Sequence, residues 1–105
     1  MRWHVYLVRC RDGSLYCGIA ADVADRVARH NAGSGAKYIV PSRRPVECVW
    51  KRAVADKPRA LSLEHWIKRL DVSEKRRLAA GEAVVLSRAG RAWSLKARAK
   101  AAGAA

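Results

Sequence analysis

Acidic residues are scarce in this chain: nine Asp and Glu stand against 22 Lys and Arg, for a net charge of +13. None of the nine lies beyond Glu82, where five bases sit unopposed. The first 82 residues still hold 17 bases against nine acids, a net +8, so the excess does not belong to a tail. Such a balance argues for a polyanionic partner, most often nucleic acid. Long hydrophobic runs are missing too. No stretch approaches the ~20 apolar residues of a membrane span, and the opening MRWHVYLVRC, broken by His4 and Arg9, does not read as a signal peptide. The expectation is a soluble, cytoplasmic protein with no membrane partner. Cysteine is limited to Cys10, Cys17 and Cys48, an odd number without CxxC spacing, which argues against a disulfide framework. With His4, His30 and His65 equally scattered, zinc is not expected, and the three thiols are assigned to the core as small hydrophobes.

Half of the 105 residues are hydrophobic, enough for one folded domain with a single modest core. WHVYLVRC (3–10) and LYCGIA (15–20) read as strands joined by RDGS into a hairpin. Asp22 N-caps a helix, with Asp25 in a capping-box-like position, and the helix runs to about Asn31 before AGSG stops it. A proline-containing loop (36–45) leads to a third strand, VECVWKRAV (46–54). Asp56 and Pro58 open a second helix running to about Leu70, and a short third helix is capped by Ser73 and closed by Gly81. The class is therefore α/β of the α+β kind: a small three-stranded antiparallel sheet flanked by helices in β-β-α-β-α-α order. The first strand, apolar on both faces, is expected at the centre. Residues 1–82 form the domain, and 83–105 are a basic, alanine-rich extension, partly helical or mobile, with Trp93 and Leu95 able to dock a last helix.

Polar groups cluster in SLYCGIAADVADRVARHN (14–31). Whether Tyr6 and Tyr16 share a sheet face depends on the turn between them. A two-residue turn sends them to opposite faces, whereas a three-residue loop over 11–13, with Gly13 left-handed, pairs Tyr6 with Gly18 and Tyr16 with Val8 and puts both phenols on one side. The second turn is preferred. Helical spacing groups Val23, Val27 and His30, with Arg26 on the flank of that stripe. Of the nine acids only Glu64 lies mid-helix, at about 60° from Ile67 beside the apolar face. Either it looks into a cleft or it forms an ordinary i, i+4 pair with Lys68, and spacing does not choose.

HVYLVRC (4–10) and YCGIAADVADRVARHN (16–31) resemble the two halves of the GIY-YIG nuclease domain, with His4-Val5-Tyr6 and Tyr16-Cys17-Gly18 in place of its triplets. HNAGSGAKYIV and RRPVECVW are similar to small single-domain bacterial members, near the repair-resolvase nucleases. The likeness covers roughly residues 1–80. Neither triplet matches literally: Tyr6 alone survives of the first, and Cys17 replaces the central Ile of the second. An asparagine used late in the domain by some branches has no counterpart after Glu64. The resemblance implies catalytic roles for Tyr6, Tyr16, Arg26, His30 and Glu64. It also implies Mg²⁺ or Mn²⁺ held by Glu64, and hydrolysis of DNA phosphodiesters in repair or recombination. DNA is expected over RNA, with a protein partner able to supply specificity. Lys37, Arg43, Arg44, Lys51 and Arg52 are candidates for phosphate-backbone contact. The alternative is a non-catalytic nucleic-acid-binding module using the same basic surface.

Overall fold

A computed structural model of the protein describes residues 2–82, 84–88 and 91–95. Its first hairpin joins β1 (Trp3–Arg9) to β2 (Leu15–Ala20). Gly13 takes φ 87°, its N–H donates to Cys10 O at 2.9 Å, and Cys10 N–H donates to Ser14 O at 2.8 Å. A side chain disfavours that positive φ, so glycine at this position sets the loop length and with it the register. Tyr6 accordingly faces Gly18 and Val8 faces Tyr16, which places both phenols on one side of the sheet. The third strand, β3 (Glu47–Val54), pairs antiparallel with β1 and gives the sheet order β2-β1-β3. β1 is central because Val5, Tyr6, Leu7 and Val8 are all buried, leaving neither face for water.

Three helices cover the sheet. The first, α1 (Val23–Ala32), starts where the Asp22 carboxylate accepts the Asp25 N–H at 2.9 Å and ends at Gly33, left-handed at φ 90°. Asp25 does not complete a capping box; its carboxylate pairs with Arg29 at 2.8 Å. The second, α2 (Lys57–Lys68), is capped by Asp56 with Pro58 in its first turn. The third, α3 (Val72–Ala79), is capped by Asp71 rather than Ser73, because Asp71 and Glu74 exchange hydrogen bonds in a full capping box.

The apolar residues divide into two clusters, not one, since β1 contributes to both faces. Val5, Leu7 and Cys17 pack with Ala60, Leu63 and Ile67 of α2 and Leu78 of α3. On the other face Tyr6, Val8 and Cys10 pack with Val23 and with Ile39 and Val46 of the connecting loop. Cys10 and Cys17 are buried as expected, but Cys48 is exposed because it lies on the outer strand β3.

Residues 84–88 and 91–95 differ from the expected helix or tail. Val84–Arg88 and Arg91–Leu95 are antiparallel strands, β4 and β5, forming a separate two-stranded sheet. The alanine-rich average of the extension conceals the local Val84-Val85-Leu86 run, whose branched side chains favour a strand. The rest of the extension lies outside the described residues. Among those described, no helix is long and apolar enough to cross a membrane.

Candidate active site

β1 and β2 present Tyr6 and Tyr16, and α1 lies over the same face with its buried stripe of Val23 and His30. Four residues separate Arg26 from His30, so both lie on one side of α1, with His30 at 0% exposure and Arg26 reaching solvent. The Tyr6 hydroxyl and His30 Nε2 are 2.9 Å apart in a buried contact. On its far side His30 Nδ1 accepts the backbone N–H of Ala36 at 3.2 Å. The Tyr16 ring stands edge-on to His30, 5.6 Å between centroids.

Glu64 arrives from the opposite layer. Its helix packs on the Val5–Leu7 face, and its charge raises the pKa of both phenols and of Cys17. Its side chain is 18% exposed, with Oε2 3.3 Å from Lys68 Nζ. Of the two readings of Glu64, the i, i+4 pair with Lys68 is present. The ammonium of Lys68, expected from spacing only as a partner for Glu64, also favours the ionised forms of Tyr16 and Cys17.

Both phenols are held protonated. Burial is the leading cause for each, pushing the Tyr6 and Tyr16 pKa values above the ordinary 10.0. Arg26 acts in the other direction on both, more weakly than burial. His30 is held below its usual 6.5, first by burial and then by the Arg26 charge. Burial likewise pushes the Cys17 thiol up to about 12, which leaves it inert.

Two glycines make room for this packing. A Cβ on Gly18 would stand 2.6 Å from the Tyr6 hydroxyl oxygen and 2.8 Å from its ring. A Cβ on Gly35 would run into His30 Nδ1 and lie 2.9 Å from His30 Cα. Gly18 was visible as a space beside Tyr6, whereas Gly35 read only as part of a helix-stopping AGSG. Nothing in the linear spacing connects it to the imidazole.

The five basic candidates separate by environment. Lys37 and Lys51 are exposed, and Lys51, opposite Tyr6 on β3, shares the tyrosine face. Arg52 pairs with Val5 and therefore points to the other face. Arg43 is committed within the fold: it donates to Asp12 at 3.0 Å and to Tyr38 O at 3.1 Å, and its guanidinium lies 4.1 Å from the centroid of the Tyr38 ring. Tyr38 in turn stacks on Tyr16 at 5.5 Å. Arg44 packs over Gly33, with its Nε buried and lacking a hydrogen-bond partner among the described residues.

This fold and cluster define a class. The GIY-YIG catalytic domain matches residues 2–77, and the chain belongs to that family, a family of nucleases. Within it the relatives are UPF0213 proteins. One from Vibrio cholerae is 51% identical over 82 residues, covering 77% of this chain and 80% of its own. Another, from Staphylococcus epidermidis, is 53% identical over 64 residues, covering 61% of this chain and 77% of its own. The solution structure of a protein from E. faecalis, 28% identical, superposes with a TM-score of 0.52 over 76% of this chain and 84% of that one.

Proposed function

We propose that the protein is a metal-dependent endonuclease that hydrolyses DNA phosphodiester bonds, in repair or recombination. What supports this reading is the 2.9 Å contact of Tyr6 with His30, with Tyr16 edge-on to the same imidazole and the charges of Arg26 and Glu64 acting on both phenols, on a chain of net charge +13. Hydrolysis needs a deprotonated water, neutralised charge at phosphorus and support for the departing oxygen. Arg26, exposed and without an ion pair among the described residues, is placed to fork onto a phosphate. Tyr6 or Tyr16 would act as the base once ionised, a form that the Arg26 charge favours against burial and that a bound cation would favour further. Tyr16 lies on the same sheet face as Tyr6, its ring edge-on to His30.

The donor set suits one hard cation. Among the described residues no three of His, Cys, Asp and Glu converge, so a site built wholly from protein ligands is not offered. Glu64 gives a single, part-buried carboxylate, which would suit Mg²⁺ or Mn²⁺ shared between one protein oxygen, water and substrate phosphate. When bound there, such a cation supplies charge neutralisation at the phosphate. Lys37 and Lys51 would hold the nucleic-acid backbone without reading sequence. A partner protein would add specificity.

One observation favours the binding module instead: Lys68 already neutralises Glu64. Purified protein incubated with branched and single-stranded DNA plus Mg²⁺ or Mn²⁺ separates the two. The nuclease reading expects cleavage that Glu64→Ala abolishes while DNA binding is kept. Binding without cleavage in either metal would overturn it in favour of the module.

A further inference from the structure

We infer that the Ala36 amide locks His30 as its Nε2–H tautomer, so that His30 donates a hydrogen bond to Tyr6 and cannot receive the Tyr6 proton. A backbone N–H only donates, so the imidazole nitrogen it meets must carry a lone pair. Ala36 N–H meets Nδ1 at 3.2 Å. The single ring proton of the neutral imidazole therefore sits on Nε2, the atom 2.9 Å from the Tyr6 hydroxyl oxygen. The other tautomer would set Nδ1–H against Ala36 N–H and leave that part-buried amide without its acceptor. The imidazolium would do the same, and it is disfavoured further because His30 is fully buried.

Three consequences follow for the residues around the ring. Because Tyr6 oxygen accepts from His30, the phenol's own proton points away from the imidazole. When that proton leaves to solvent, the phenolate keeps its donor. His30 is thus a positioning residue for Tyr6, and the Gly35-Ala36 segment is what positions His30. Glycine is required at 35 because any Cβ there occupies the approach to Nδ1. The tautomer stands on geometry alone, while the meaning of the Tyr6 bond for catalysis rests on the nuclease reading.

The test is a two-bond proton–nitrogen correlation spectrum of the full chain labelled with ¹⁵N-histidine, recorded at neutral pH. With three histidines in the chain, His30 is assigned by the pattern that disappears in His30→Gln. Expected is an unprotonated, pyridine-type Nδ1 and a protonated, pyrrole-type Nε2, unchanged in Tyr6→Phe because Ala36 rather than Tyr6 sets the tautomer. Gly35→Ala is expected to lose the pattern. A protonated Nδ1, an imidazolium, or a tautomer that reverses in Tyr6→Phe would overturn the inference, and the wild-type spectrum decides even if Gly35→Ala does not fold. No cleavage is needed. A chain that cuts nothing yet shows this tautomer removes the nuclease reading and leaves the inference in place.

Discussion

Tyr6, Gly18 and His30 are one packing unit, and at the scale of the residue each makes demands on the other two. Gly18→Ala places a methyl carbon within 2.8 Å of two Tyr6 atoms, and because Tyr6 is 1% exposed the ring has little room to yield. Overpacking of this kind costs about 1–3 kcal/mol. A lower melting temperature is expected, together with loss of any cleavage, since the hydroxyl is displaced from His30. His30 also ties stability to pH. Its folded pKa lies below the ordinary 6.5. As pH falls past that value the unfolded chain binds a proton that the native ring refuses, so the contribution is complete above about 6.5 and is lost below it. Thermal melts of wild type between about pH 7.5 and 5 should fall more steeply than those of His30→Gln, which cannot take up that proton. Equal slopes would show that His30 does not titrate differently in the two states.

At the scale of the element, the loop between α1 and β3 stands out, because it supplies Ala36 to the site and is itself held by side chains. Asn31 acts as a surrogate strand at the end of α1: its Oδ1 accepts Val46 N–H at 2.7 Å and its Nδ2 donates to Val46 O at 3.1 Å. Asn31→Ala orphans both backbone groups, at a cost of about 1–3 kcal/mol, readable as faster amide exchange at Val46. Farther along, Tyr38 joins Tyr16 to Arg43, and Arg43 closes back on Asp12 in the β1–β2 turn. The loop and the hairpin are therefore one braced unit. On the opposite face α2 depends on Leu63, which is 0% exposed in the cluster under Val5 and Leu7. Leu63→Ala should cost about 2–5 kcal/mol in denaturant melts. Because Glu64 is its neighbour in α2, a loosened helix should also weaken cleavage.

Charge acts at the scale of the whole molecule. A protein of net +13 should bind DNA with an affinity that falls steeply as salt rises, because each neutralised phosphate releases counterions. The structure sorts which charges take part. Lys37 and Lys51 are exposed, whereas Arg43 is already paired with Asp12. Replacing either lysine by alanine should therefore reduce the slope of log K against log salt by about one, equally for unrelated DNA sequences. Arg43→Ala should leave that slope unchanged while loosening the loop. A slope altered by Arg43→Ala and not by the lysines would show that another face meets the DNA.

Strands β4 and β5 are not legible in the sequence, whereas the strand and helix order through α3, the central place of β1 and the turn that puts Tyr6 and Tyr16 on one face are. Each follows from local rules: alternation along a strand, an aspartate before a helix, a glycine that alone accepts a positive φ. The same rules put Arg26 beside His30. They could not show that Glu64 pairs with Lys68, that Arg43 is consumed by Tyr38 and Asp12, or that Cys48 lies in the open. They were also silent on Ala36, whose only contribution is a backbone N–H. Apart from the Glu64 pair, those outcomes depend on groups distant in the chain sharing one small volume, where burial raises the tyrosines more strongly than Arg26 lowers them. Burial is a property of the packed molecule, and no stretch of sequence carries it.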